Sequence, residues 1–273
     1  MSPPESSSFM IDPVWIAARL DDPSVRMIEV DVSPGNYRGG HIPGAILWDA
    51  YADLRGSDYL PIDESGLRSL LERSGVSRET TLVFYGYGAA LGFWLMSARG
   101  HPDVRMLDGP REQWAESGRD WSDEATEVER TSYELGPWDP AISASREDVE
   151  DAIGDPETIL LDVRSELEFD GERFWPSGAT EGAGRAGHLP AAVNIPIDNF
   201  RTPDGALRSA AEIGAALEER SVTGDKAIIT YCTIANRASQ AWAGMKLLLG
   251  YPEVSVYYPS WVQWGRESDT PIE

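Results

Sequence analysis

Apolar residues recur along this chain in two alternating rhythms. Residues 26–32 (RMIEVDV) and 80–85 (TTLVFY) are short apolar runs that predict buried strands, and residues 104–107 predict another. Residues 66–73, 88–98 and 110–116 predict helices. Asp12 followed by Pro13 predicts a helix start, with a capping carboxylate ahead of a proline at the first helical position. The second half repeats the order. Ser145 with Asp148 forms a capping-box pattern at a helix start. Strand 158–163, helix 210–219, strand 226–231, helix 237–249 and strand 254–257 then follow. Such alternation predicts an α/β protein whose mostly parallel sheets are flanked by helices on both faces. The stripe Trp242, Met245, Leu248 and Leu249 reads as helix packing.

The motifs repeat as well as the elements. GHIPGA at 40–45 returns as GHLPAA at 187–192, and LVFY at 82–85 returns as IITY at 228–231. HPDV at 101–104 matches YPEV at 251–254, and Trp114 matches Trp264 at the same offset of 150. The chain is therefore expected to hold two tandem copies of one domain, residues 9–123 and 142–273. The acidic, Pro- and Gly-bearing segment 124–141 joins them. Asp31 precedes His41 by 10 residues, whereas Asp162 precedes His188 by 26. The second copy thus carries an insertion, residues 166–184, expected to be a functional or mobile loop.

Composition narrows the function. There are 46 acidic against 23 basic side chains, a formal charge of −23, and 41% of residues are hydrophobic. That apolar content supports packed cores, and so negative a surface repels phosphate backbones, so no nucleic-acid partner is expected. No apolar run is long enough to cross a bilayer and no signal-peptide pattern is present, so no membrane partner and a cytoplasmic location are expected. Residues 1–8 (MSPPESSS) read as a frayed leader. One cysteine, Cys232, excludes an internal disulfide and a multi-thiolate zinc site, and three scattered histidines supply no metal-ligand spacing. No cofactor is expected.

Cys232 follows the strand 226–231 and precedes a helix, at the carboxyl end of a strand where open α/β sheets place their ligands. Its counterpart in the first copy, one residue after Tyr85, is Gly86. The turn Thr233, Ile234, Ala235, Asn236 leads into a helix N-terminus whose amides stabilise an anion, and Arg237 adds a positive charge there. A lone cysteine can equally be a small buried hydrophobe. The mismatch between the copies favours chemistry at Cys232.

The motifs GHIPGA and RAGHLPAAVNIP, the stretch LLDVRSELEF, the loop YCTIANRAS and the terminal SWVQWG together resemble the tandem-domain rhodanese family, the thiosulfate and 3-mercaptopyruvate sulfurtransferases. The resemblance covers nearly the whole chain. It implies two rhodanese folds, an inert first copy and an active second one. It further implies that Cys232 takes up sulfane sulfur as a persulfide and that Thr233, Ile234, Ala235, Asn236 and Arg237 form the cradle. Arg185 lies where mercaptopyruvate-type members often place a substrate arginine, and Trp261 is expected to line the pocket. Three departures bear on substrate choice: Ala235 stands where the family commonly has glycine, Thr233 replaces an arginine of some members, and Pro259 replaces a glycine. An alanine at positive φ would be strained.

The expected activity is sulfur transfer from a small anionic donor, thiosulfate, to a thiophilic acceptor such as cyanide or a thiol. No protein partner is specified. A 3-mercaptopyruvate sulfurtransferase is the alternative, with Arg185 clamping the carboxylate. A sulfur carrier or docking module without turnover is another. A phosphatase fits poorly, because its loop runs C-x5-R whereas four residues separate Cys232 from Arg237. His41 and His188 are expected to hold turns, His101 to be ordinary, Asp162 and Arg164 to brace loops by ion pairing, and Trp264 to be core.

Overall fold

The computed structural model describes residues 9–273, so the leader 1–8 lies outside the described residues. The chain divides into two compact units. One takes residues up to Gly56 and Ile62–Pro137; the other takes Ser57–Pro61 and Trp138–Glu273. The break at Pro137 falls inside the segment read as linker, where residues 124–137 carry no helix or strand.

The first unit runs β1 (Met10–Ile11), α1 (Pro13–Ala17), β2 (Val25–Asp31), α2 (Gly35–Gly39), β3 (Ile46–Asp49), α3 (Glu64–Arg73), β4 (Thr81–Tyr85), α4 (Ala89–Ala98), β5 (Val104–Leu107) and α5 (Gln113–Glu116). Its five strands pair in parallel in the order β1-β5-β4-β2-β3. Asp12 caps α1 by accepting the Trp15 N–H at 2.7 Å. Helix α4 is buried on almost every side, which explains its continuous apolar run. Gly92 brings that helix onto β4, since a Cβ there would lie 2.4 Å from Phe84.

The second unit repeats the plan with β6 (Ser143–Ala144), α6 (Arg146–Ala152), β7 (Thr158–Asp162), α7 (Glu166–Phe169), β8 (Val193–Asn194), a 3-10 turn (Ile197–Asn199), α8 (Ala210–Glu219), β9 (Ala227–Tyr231), α9 (Asn236–Ala243), β10 (Val254–Tyr257) and α10 (Ser260–Trp264). The order β6-β10-β9-β7-β8 is again wholly parallel, with β9 central. Ser145 and Asp148 make the expected capping box. Helix α9 passes into a π-helical turn, Gly244–Leu248, where a single α-helix was expected. The strands β1, β6 and β8 have two residues each, too short for any alternation to register.

The insertion, expected to be a functional or mobile loop, is structured in part. It opens with α7, and Trp175 Nε1 donates to Glu181 O at 2.9 Å. Arg266 donates to the carbonyls of Gly182 and Asp58 and lies over the rings of Tyr59, Phe174 and Trp175. These contacts tie segment Ser57–Pro61 to the second unit.

The first unit shows why its equivalent turn carries no thiol. Gly86 has φ +89°, and a Cβ there would sit 3.0 Å from both Glu29 Cγ and Val30 O. The Gly88 N–H is bonded to Val30 O at 2.7 Å, closing the turn onto β2. Behind it, Arg111 pairs with the buried Glu29 at 3.2 Å, donates to Gly40 O and stacks on Trp121. Burial outweighs the guanidinium and pushes the Glu29 carboxyl up. A Cys232→Ser, Gly86→Cys chain is therefore expected to take up no sulfur by intact mass. Urea unfolding is expected to show about 1–3 kcal/mol lost at the strained position.

Candidate active site

Strand β9 ends at Tyr231, and Cys232 is the next residue. Its main chain is gripped from the start of α10. The Trp261 N–H donates to Cys232 O at 3.0 Å, the Val262 N–H donates to Thr233 O at 3.1 Å, and the Cys232 N–H donates to Ser260 Oγ at 3.3 Å. Ser260 adopts φ +55° and donates its hydroxyl to Tyr257 O at 2.8 Å. The SWVQW segment thus holds the main chain of the loop with two backbone N–H groups and the Ser260 hydroxyl.

Ala235 is left-handed, φ 65° and ψ −8°, as feared from its replacing a glycine. Asn236 begins α9, so its N–H and those of the next residues have no carbonyl one turn earlier to bond. A left-handed residue followed by right-handed ones turns successive N–H groups toward one point, which makes an anion nest. Helix α9 has eight residues, and its positive end reinforces that nest. Replacing Ala235 by glycine relieves roughly 1–2 kcal/mol of left-handed strain. A freer unfolded chain offsets 0.4–1 kcal/mol of this, so a net gain of about 1 kcal/mol is expected in urea unfolding.

Cys232 itself is 1% exposed, at the floor of the loop. Ile234, Asn236 and Thr233 are buried with it, and Trp261 is fully buried, its Nε1 donating to Arg185 O at 3.0 Å. Beside these apolar neighbours, the loop side chains Thr233 and Arg237 form a charged network with Glu168.

That network corrects two expectations. Arg237 is not a free cation beside the sulfur. Its Nη1 and Nη2 donate to the two carboxylate oxygens of Glu168 at 2.8 Å each, and Nη2 also donates to Thr233 Oγ1 at 2.7 Å. Thr233 Oγ1 in turn donates to Glu168 Oε1 at 2.8 Å. Nor is Arg185 a free carboxylate clamp. It donates to Thr270 O at 3.0 Å and Trp264 O at 3.3 Å, and also to Glu267 O and the Thr270 hydroxyl. Main-chain carbonyls at the carboxyl-terminal end need donors, and this guanidinium supplies them.

Glu168 was not anticipated as a site residue. It sits on α7, fully buried, and also accepts from the Ser165 N–H at 3.1 Å and hydroxyl at 2.8 Å. The spacing of Ser165 and Glu168 is a capping box, which was the readable signal. Burial alone would raise its pKa, but the bonds and charge of Arg237 override that and hold it at about 2. A depressed carboxyl stabilises the fold above its unfolded value of 4.5, and this contribution is lost as pH falls toward about 2. It amounts to roughly 3 kcal/mol. Urea unfolding between pH 6 and 3 is expected to show about 2 kcal/mol of that loss, and Glu168→Gln to flatten it.

Asp162 and Arg164 brace the site as expected. Both are fully buried, with Arg164 Nη2 2.6 Å from Asp162 Oδ2 and 2.7 Å from Gly187 O. Arg164 Nη1 has no hydrogen-bond partner, and the guanidinium lies 4.5 Å from the Trp261 ring centre, so a cation–π contact partly compensates. Tyr231 donates toward Asp162 and bonds the Leu189 N–H at 3.2 Å, while burial and the nearby Asp162 charge push its phenol up. Both guanidinium groups next to the Cys232 loop are therefore cancelled by a carboxylate.

The histidines hold turns. His41 Nδ1 lies 2.9 Å from Tyr37 O, and His188 Nδ1 lies 2.8 Å from Phe169 O, each ring stacked on its aromatic neighbour. His101 bonds Tyr133 and Thr80 O, and burial pushes its pKa down. Trp264 is fully buried core. Among the described residues, no cluster of three His, Cys, Asp or Glu could hold a metal, and no helix is long and apolar enough to cross a membrane. A groove of about 480 Å³ lies by the first residues of β7, β9 and β10, at the opposite ends of these strands from Cys232.

Two parallel five-stranded repeats with a thiol at the carboxyl end of one central strand define a rhodanese-type sulfur-handling fold. The rhodanese-like domain matches residues 12–117 and 145–267, and the chain belongs to this family. It is 41% identical over 269 residues to the sulfur carrier protein TtuD of Thermus thermophilus, covering 94% of each chain. A protein of Saccharopolyspora erythraea, provisionally named a thiosulfate sulfurtransferase, is 36% identical over 95% of this chain and 94% of its own. The anaerobic ergothioneine biosynthesis enzyme from Chlorobium limicola, solved with its natural substrate trimethyl histidine, superposes with a TM-score of 0.84 at 23% identity. The match covers 100% of this chain and 72% of that one, and shares the fold. The chain is a rhodanese-family sulfurtransferase or sulfur carrier.

Proposed function

We propose that Cys232 carries sulfane sulfur as a persulfide, taken from thiosulfate and passed to a thiophilic acceptor. The Cys232 thiolate attacks the outer sulfur of thiosulfate, an S–S bond forms, and sulfite leaves with the electrons of the cleaved S–S bond. Cyanide or a thiolate then attacks the outer persulfide sulfur and releases the Cys232 thiolate, which is ping-pong nucleophilic catalysis. Main-chain amides suit both halves, because negative charge stays on sulfur throughout. The observation that carries this reading is the chain's single thiol directly after the central strand β9, in the loop that turns through the left-handed Ala235 into α9. The 1% exposure of Cys232 favours a donor as small as thiosulfate. The mercaptopyruvate reading loses its clamp, since Arg185 is committed to carbonyls.

The paired state of Arg237 favours a second reading, a carrier that loads readily but turns over slowly, because the guanidinium on the Cys232 loop is already neutralised by Glu168 rather than offered to successive dianions. Intact mass after thiosulfate treatment tests the first step: a gain of one sulfur, about 32 Da, confined to Cys232. Absence of the adduct overturns both readings. Steady thiocyanate production with cyanide supports the enzyme, and fast loading with slow turnover supports the carrier.

A further inference from the structure

The Cys232 loop holds one cationic side chain, and the structure cancels it. Arg237 meets Glu168 in a two-point ion pair at 2.8 Å, with Glu168 fully buried and the Arg237 side chain 12% exposed. Thr233, the residue after the thiol, is a strut between the two, donating to the carboxylate and accepting from the guanidinium. Three residues on two elements, α7 and the start of α9 with its preceding turn, thus form one closed hydrogen-bonded unit directly after Cys232. The other charges packed nearby are Asp162 and Arg164, which neutralise each other.

We propose that Glu168 is the positioning residue of the Cys232 loop, fixing its shape through Thr233 and Arg237 and cancelling the guanidinium, so that main-chain amides alone hold the sulfur anion. Glu168 does not touch the reacting atoms. It acts by what it removes from the loop, a net positive charge, and by what it holds still, the turn whose amides converge. A buried carboxylate with five accepted hydrogen bonds is already satisfied, so it has no remaining capacity to take a proton from a substrate. A site organised this way discriminates weakly by donor charge, because it lacks the guanidinium fork that recognises carboxylates.

The proposal rests on Cys232 being the reacting group, but its test needs no sulfur donor. The rate of iodoacetamide alkylation of Cys232, followed by intact mass against pH, reads the charge that the loop presents to the thiol. Glu168→Gln uncovers the Arg237 charge and is expected to move the midpoint of that profile down by at least half a pH unit. Arg237→Gln leaves Glu168 unbalanced and is expected to move it up by a similar amount. The double variant is neutral again and is expected to return within about 0.2 pH unit of the unmodified protein. If one single variant does not fold, the other and the double variant still decide. Equal midpoints in a folded single variant and the unmodified protein overturn the proposal, as does a double variant that keeps the shift of a single one. Thr233→Val, which keeps both charges and removes the strut, is expected to leave the midpoint in place and slow alkylation at least threefold; an unchanged rate removes the strut from the account. If the profiles behave as described but thiosulfate leaves no adduct, the positioning role stands and the sulfur-transfer reading falls.

Discussion

Cys232→Ser is expected to abolish sulfur loading and to lower transfer from thiosulfate to cyanide by on the order of 10³-fold or more. The replacement is nearly isosteric, so the loop and its amides remain, yet a hydroxyl in the nest ionises far less readily than a thiol and attacks sulfur poorly. The experiment is clean because the chain has no second cysteine, and any residual adduct must lie on another residue type. Circular dichroism and urea unfolding matching the unmodified protein to about 1 kcal/mol would show that chemistry, not folding, was removed. Substantial turnover in that variant would sink the assignment of the nucleophile.

The second large effect lies behind the site. Asp162→Ala is expected to cost about 3–5 kcal/mol in urea unfolding, because it leaves the guanidinium of Arg164 buried without its counter-charge. Arg164 is 0% exposed, and its other contacts are the Gly187 carbonyl and aromatic faces. The control is Arg73→Ala, which breaks an ion pair whose arginine side chain is 48% exposed; it is expected to cost under about 1 kcal/mol. The apolar pair Asp162→Leu, Arg164→Met should recover part of the loss, as uncharged packing removes the desolvation cost. A loss from Asp162→Ala no greater than that of the control would show that the pair contributes little to the brace.

Much of the architecture could be read before any coordinates, and the reason is periodicity. Strand Val104–Leu107, helix Ala210–Glu219 and strand Val254–Tyr257 have the expected bounds, since each is an apolar rhythm bounded by turn residues. The two-residue strands escaped, because their pairing comes from neighbours rather than from any pattern of their own. The left-handed Ala235 was also legible, from the place of an alanine in a loop that commonly has glycine. What failed was the state of the arginines. Which acceptor the guanidinium of Arg185 or Arg237 meets depends on carbonyls and carboxylates up to 85 and 69 residues away.

The linear order of side chains thus determined that two copies of one α/β unit exist and that only the second carries a thiol after its central strand. Local backbone preference and apolar spacing suffice for that, because they act over a few residues. Tertiary packing alone decided the electrostatics: Glu168 against Arg237, Asp162 against Arg164, and Arg185 against the closing carbonyls. Those partners are brought together by sheet topology, and a charge has no fixed meaning until burial and its neighbours set the cost of leaving it unpaired.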